Sequence, residues 1–154
     1  MEMVVLDYMV AEKDISGIIL KSSSKQVLQH VVDLLYERFD TYNWVGIYIV
    51  KGDHLLLGPW RGLQATEHMK IPVGMGICGF AAQSGKTEVV DDVSKDSRYL
   101  ACFVSTRSEI VVPIKKDGKI VGEIDIDSDV SKAFNVSDVK FLEKVADMLS
   151  KHIC

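Results

Sequence analysis

Residues 109–128 read EIVVPIKKDGKIVGEIDIDS, two β-branched runs on either side of Asp117-Gly118. An Asp-Gly pair suits the positive φ angles of a tight hairpin turn, so the stretch predicts two antiparallel strands. A second hairpin lies upstream, where NWVGIYIV (43–50) and DHLLLGPW (53–60) flank Lys51-Gly52-Asp53. Outside the hairpins the period changes to that of a helix. Val27, Leu28, Val31, Val32, Leu34, Leu35 and Phe39 form one apolar stripe, and Ser22–Ser24 before it offer an N-cap. LDYMVAEKDISGIIL (6–20) predicts a shorter first helix. A last helix follows from Phe141, Leu142, Val145, Ala146, Met148, Leu149 and Ile153, with Ser137 as its cap and Asp138 at its positive end. Between the hairpins come a glycine turn, a helical stretch FAAQS (80–84) ended by Gly85, a strand KTEVV (86–90) and a long loop over 91–108. This order predicts an α+β fold, an antiparallel sheet with helices on one face.

The 154 residues suit one domain spanning 1–154, and 47% apolar with 26% charged residues is an ordinary globular composition. A net charge of −4 and a pI near 5.5 argue against nucleic acid or a membrane surface as partner, since either would need a clustered basic face. No apolar run approaches the roughly 18 residues of a membrane span. The opening MEMVVLDYMVAEKD lacks the basic flank and cleavage site of a signal peptide, so a cytoplasmic location is expected. Cys78, Cys102 and Cys154 make neither a disulfide framework nor a zinc-ligand pattern, and no metal is expected. Buried thiols or redox chemistry remain.

Gly74-Met75-Gly76-Ile77-Cys78-Gly79 spells the dinucleotide fingerprint G-x-G-x-x-G. Its surroundings do not fit. MKIPV (69–73) is short and broken by Pro72, the following helix barely makes two turns before Gly85, and no series of parallel βα units follows. The glycines instead build a turn that sets Cys78 at a helix start, where free N–H groups would lower a thiol pKa. The plainer alternative is a small buried residue in a tight turn.

Asp125 and Asp127 lie two apart on a strand and hence on one face, and Glu109 begins the partner strand. Three converging acids could bind an ammonium group, and their repulsion could raise one pKa enough to supply a proton. A solvated acidic rim is the alternative. Trp44 and Tyr48, four apart, share a strand face, and Trp60 stands on the partner strand; they form either an aromatic wall or plain core.

IPVGMGICGFAAQSG (71–85), VVDDVSKDSRYLAC (89–102), SEIVVPI (108–114), GKIVGEIDIDS (118–128) and the spacing F-x-x-x-D-x-x-F-L (134–142) occur in that order. Together they resemble the GAF-domain free methionine-R-sulfoxide reductases from about Asn43 to the C-terminus. The resemblance implies a GAF fold, with terminal helices on one face of the sheet and a loop-covered pocket on the other. It also implies reduction of free L-methionine (R)-sulfoxide, with no bound cofactor and a thioredoxin-type dithiol as reductant, in a homodimer. Cys102 matches the nucleophile, which becomes a sulfenic acid, and Cys78 the thiol that resolves it as a disulfide. The reverse assignment stays open, because the helix-start argument favours Cys78 as thiolate. Glu109, Asp125 and Asp127 match the acids of the substrate pocket, and Trp44, Tyr48 and Trp60 its aromatic region. The chain departs from the pattern at His68, where many members carry a cysteine, and at Tyr99 and Phe103, which replace a histidine and an aspartate. A ligand-binding GAF sensor and a thiol redox sensor without a small substrate are the alternative functions.

Overall fold

A computed structural model of the chain describes residues 2–100 and 103–153. Six antiparallel strands form one sheet in the order β3-β2-β1-β6-β5-β4. They are β1 (Trp44–Lys51), β2 (His54–Gly62), β3 (Lys70–Pro72), β4 (Glu88–Val90), β5 (Ser108–Lys116) and β6 (Lys119–Ser128). Both hairpins form where their turn residues predict them. Asp117 and Gly118 take φ of 53° and 77° at the tip of β5–β6. Among the described residues no two strands pair in parallel, which leaves the dinucleotide reading no βαβ unit there.

Period-two alternation divides the sheet into two chemically different faces. Ile110, Val112 and Ile114 of β5 and Ile124 and Ile126 of β6 point one way, with Val45 and Ile47 of β1. Helices α1 (Glu2–Lys21), α2 (Val27–Arg38) and α4 (Val136–Leu149) cover this face and supply Ile15, Val31, Leu35, Leu142 and Leu149 to its core. The intervening residues Glu109, Val111, Glu123, Asp125 and Asp127 necessarily point the other way. There a smaller apolar cluster joins Tyr48, Leu55, Ile71 and Val111 to Ile77, Cys78 and Ala81 of α3 (Gly76–Ser84).

The helix ends differ from the sequence reading in several places, α3 among them, which starts at Gly76 rather than Phe80. The first helix starts at Glu2 and runs for 20 residues, so it is longer than its apolar pattern implies. Ser22–Ser24 do not cap α2; its N-cap is Gln26, with no side-chain hydrogen bond. Asn135, not Ser137, caps α4, because its side chain reaches the Asp138 N–H while Asp138 accepts from the Asn135 N–H. No helix among the described residues is long and apolar enough to cross a membrane.

Candidate active site

The central pairs β1–β6 and β5–β6 bring the predicted acids together. Glu109 lies opposite Asp127, and Val111 opposite Asp125. On the other flank Trp44 lies opposite Asp127, and Tyr48 opposite Glu123. Glu109, Asp125 and Asp127 are each 5% exposed or less, so they are no solvated rim. The glycine turn folds against them from α3. It is closed by Gly74 N–H donating to Gly79 O (2.8 Å) and Gly79 N–H donating to Met75 O (2.9 Å). A Cβ on Gly79 would stand 2.6 Å from the Pro72 carbonyl oxygen, so only glycine lets the turn close this tightly. Its neighbour Cys78 is thereby set facing the acids. Ligand atoms of Cys78, Glu109 and Asp125 all lie within 4.8 Å of one another.

Burial pushes the Cys78 thiol well above its ordinary pKa, and the carboxylates of Asp125, Glu123, Glu109 and Asp127 add to the shift. This corrects the expectation of a thiolate at the helix start. Cys78 is only the third residue of α3, but the site is dry and acidic, and these two effects outweigh the helix end. Glu109 is likewise driven well above the carboxylate range, first by burial and then by Asp125 and Asp127. Its side-chain contacts with both aspartates raise it further, and the repulsion expected among the three acids acts in the same direction. Burial also raises Asp127 well above its ordinary pKa. Asp125 rises as well, through burial, against the opposing help of Glu109, Cys78 and nearby His68.

One member of the cluster escaped the sequence reading. Glu123 is 0% exposed, and neither of its oxygens meets an N–H or O–H donor among the described residues. One oxygen each of Asp125 and Asp127 is also without a donor. The signal was there to read: positions 123, 125 and 127 are all acidic at a spacing of two, so a strand must put all three on one face.

Two hollows open along this wall. The larger, about 90 Å³, is bounded by Trp44, Phe103, Thr106 and Asp127. The smaller, about 20 Å³, is lined by Cys78, Glu109, Asp125, Tyr48 and His68. The Tyr48 hydroxyl donates to the His68 carbonyl oxygen at 2.8 Å and so holds the 66–69 segment over the small hollow. The Trp44 ring lies flat on the sheet, where a Cβ on Gly46 or Gly62 would come within 2.4 Å of it. It stacks on Trp60 with 6.2 Å between centroids and meets Phe103 at 5.8 Å. Trp44 and Tyr48 therefore face the acids as expected, while Trp60 lines neither hollow and stacks against the Trp44 ring. Cys102, the expected nucleophile, and Cys154 lie outside the described residues. The loop approaching Cys102 is fastened by Arg98, which pairs with Asp96 (2.7 Å) and Glu88 (3.4 Å) and lies over the Phe80 ring.

Comparison with known proteins gives a consistent picture. The GAF domain family model matches residues 24–153. The protein YtsP of Bacillus subtilis is 44% identical over 120 residues, 77% of this chain and 72% of that one. The free methionine-R-sulfoxide reductase of Escherichia coli is 36% identical over 131 residues, covering 85% of this chain and 78% of its own. Among solved structures, the free methionine-R-sulfoxide reductase of Neisseria meningitidis in complex with its substrate superposes with a TM-score of 0.88 at 34% identity. That match covers 94% of this chain and 87% of the other.

Proposed function

We propose, given that this chain belongs to the GAF-domain family of free methionine-R-sulfoxide reductases, that it reduces free L-methionine (R)-sulfoxide to methionine through two cysteines. The observation that carries the reading is the buried acid wall. Asp125 in the smaller hollow and Asp127 in the larger each keep one oxygen without a donor, and neither hollow has lysine or arginine among its described lining residues, which suits the ammonium of a free amino acid. Trp44, backed by Trp60, supplies an apolar surface for the S-methyl group.

Cys102 acts as nucleophile. Its sulfur attacks the sulfoxide sulfur while Glu109, held protonated by burial, gives its proton to the oxygen. The oxygen passes to Cys102, methionine leaves, and Cys102 becomes a sulfenic acid. The Cys78 thiol then attacks that sulfur, water leaves, and the Cys78–Cys102 disulfide is reduced by a thioredoxin-type dithiol. The raised pKa of Cys78 supports this order, because a buried neutral thiol makes a poor first nucleophile and a serviceable resolving one. Leu100 and Phe103, the described residues on either side of the nucleophile's segment, line the two hollows, which further supports the assignment. A cytoplasmic location and a homodimer complete the proposal. Leu6, Met9 and Val10 expose an apolar strip on α1 that suits a second copy.

The test is turnover of the two separated free sulfoxide epimers with a dithiol reductant. The R form should be consumed. Cys102→Ser should abolish the reaction, and Cys78→Ser should release one methionine per chain and accumulate a trappable sulfenic acid. A wild-type protein that leaves both epimers untouched ends the reading.

A further inference from the structure

We infer that Arg98 is a positioning residue for the two-cysteine step. It fastens the arm that leads to Cys102 onto α3, the helix that carries Cys78, and so raises the effective concentration of one sulfur at the other. The inference rests on the two-cysteine reading proposed above. Three observations carry it. The first is the reach of one side chain. The Arg98 guanidinium donates to both carboxylate oxygens of Asp96 (3.0 and 2.7 Å) and to Glu88 of β4 (3.4 Å). Its central carbon lies 4.4 Å from the centroid of the Phe80 ring in α3, two residues after Cys78. Asp96 also accepts the Arg98 backbone N–H at 2.9 Å, which ties the clamp to the arm itself. The second observation is a further contact with the same helix. Gly76 opens α3 with φ of 67°, and a Cβ there would stand 2.8 Å from Leu100 Cδ1, so Leu100 packs directly on the helix start. Leu100 and Cys78 line the same small hollow. The third is the closure of the loop, where Val93 N–H donates to Arg107 O at 2.9 Å.

Arg98 lines neither hollow, so it acts through the arm and not on the substrate. The side chains of its two ion pairs are 18–32% exposed, and pairs so wetted add little to global stability. Their effect belongs to local opening of the loop, where a few contacts decide how long the arm stays docked. A lysine would supply the charge, but only arginine presents a planar face to Phe80 and a fork to Asp96. The chemistry served is the resolving step, in which Cys78–SH and Cys102–SOH give the disulfide and water. A disulfide tolerates only a narrow separation of its two residues, so an arm docked in advance favours the bond.

The experiment uses the full chain carrying Cys154→Ser, equilibrated in glutathione buffers. There oxidised glutathione and the two protein thiols exchange with the protein disulfide and two reduced glutathiones. The disulfide fraction is read by mass after alkylation, and no sulfoxide is needed. Arg98→Met should move the equilibrium about tenfold toward the dithiol, and Arg98→Lys about threefold in the same direction. Phe80→Leu should move it too, and Arg98→Met placed on top of it should add less than it does alone. Tyr8→Phe, which weakens the fold on the helix side of the sheet, should leave the equilibrium in place, because a contact present in both redox states cancels. An unchanged equilibrium in Arg98→Met overturns the inference, and so does an equal shift in Tyr8→Phe. A chain in which Arg98 governs the disulfide but no sulfoxide is reduced would end the reductase reading alone. One that reduces sulfoxide, with Arg98→Met at the wild-type equilibrium, would end this inference alone.

Discussion

Asp138 on the helix side of the sheet and Asp125 on the loop side are both buried acids, and the fold treats them in opposite ways. Asp138 accepts from the Tyr42 hydroxyl (2.5 Å), the Tyr8 hydroxyl (2.9 Å) and the Asn135 N–H (2.9 Å). Its charge raises both tyrosine pKa values, with burial the larger cause. Asp125 sits 4% exposed among Glu109, Glu123 and Asp127, with one oxygen unmatched. A buried carboxylate with every partner in place fastens a structure. One without partners costs stability and is kept for a visitor.

The difference can be attacked most strongly at Glu109. Glu109→Gln should lower kcat/KM for the sulfoxide by about 10²- to 10⁴-fold, since it removes the proton donor, yet leave the melting temperature unchanged or higher. Equal losses of activity and stability would erase the distinction between the two faces. Asp138→Ala should do the converse. It leaves two tyrosine hydroxyls and a helix N–H without an acceptor, at a cost of about 3 kcal/mol in denaturant unfolding, while KM stays put.

The pH dependence of stability separates the faces more gently. Glu109, Glu123 and Asp127 have folded pKa values above their unfolded ones. Their contribution is therefore fully present below the unfolded values and is lost as pH rises through the folded ones. The ligand-free protein should melt several degrees higher near about pH 5.5 than at about pH 8, and Glu123→Gln should flatten that slope. A melting temperature that falls on mild acidification would mean that the acids are paired after all. The smallest effect is expected from Tyr8→Phe, which removes one of the three donors to Asp138 and should cost about 1 kcal/mol in the same unfolding assay.

Much of this was legible in the residues. Asp117-Gly118 fixed a hairpin because its conformational demand is local, and the alternation of β5 and β6 dictated which side chains share a face. Cys78 was misjudged on its ionisation, because a helix start can be seen in sequence and the four acids waiting opposite it cannot. Glu123 was missed for the reverse reason. Its spacing was plain, but a glutamate five residues past a turn ordinarily points to water, and only the packed structure shows it sealed in. The cap of α4 went to Ser137 rather than Asn135 because both are good caps; the choice was made by the reciprocal bonds between Asn135 and Asp138, whose carboxylate Tyr8 and Tyr42 also hold.

That last arrangement bears on how the chain is made. Tyr8 and Asp138 are 130 residues apart, and Tyr42 and Asp138 are 96 apart. During synthesis Tyr8 of α1 and Tyr42, four residues past α2, emerge long before the carboxylate they bind, so this contact must wait for nearly the whole chain before it can lock. Contacts of such separation slow folding. They also make completion an all-or-none event: a polypeptide interrupted short of residue 138 offers its tyrosines nothing to close on, and its apolar layer stays open to quality control.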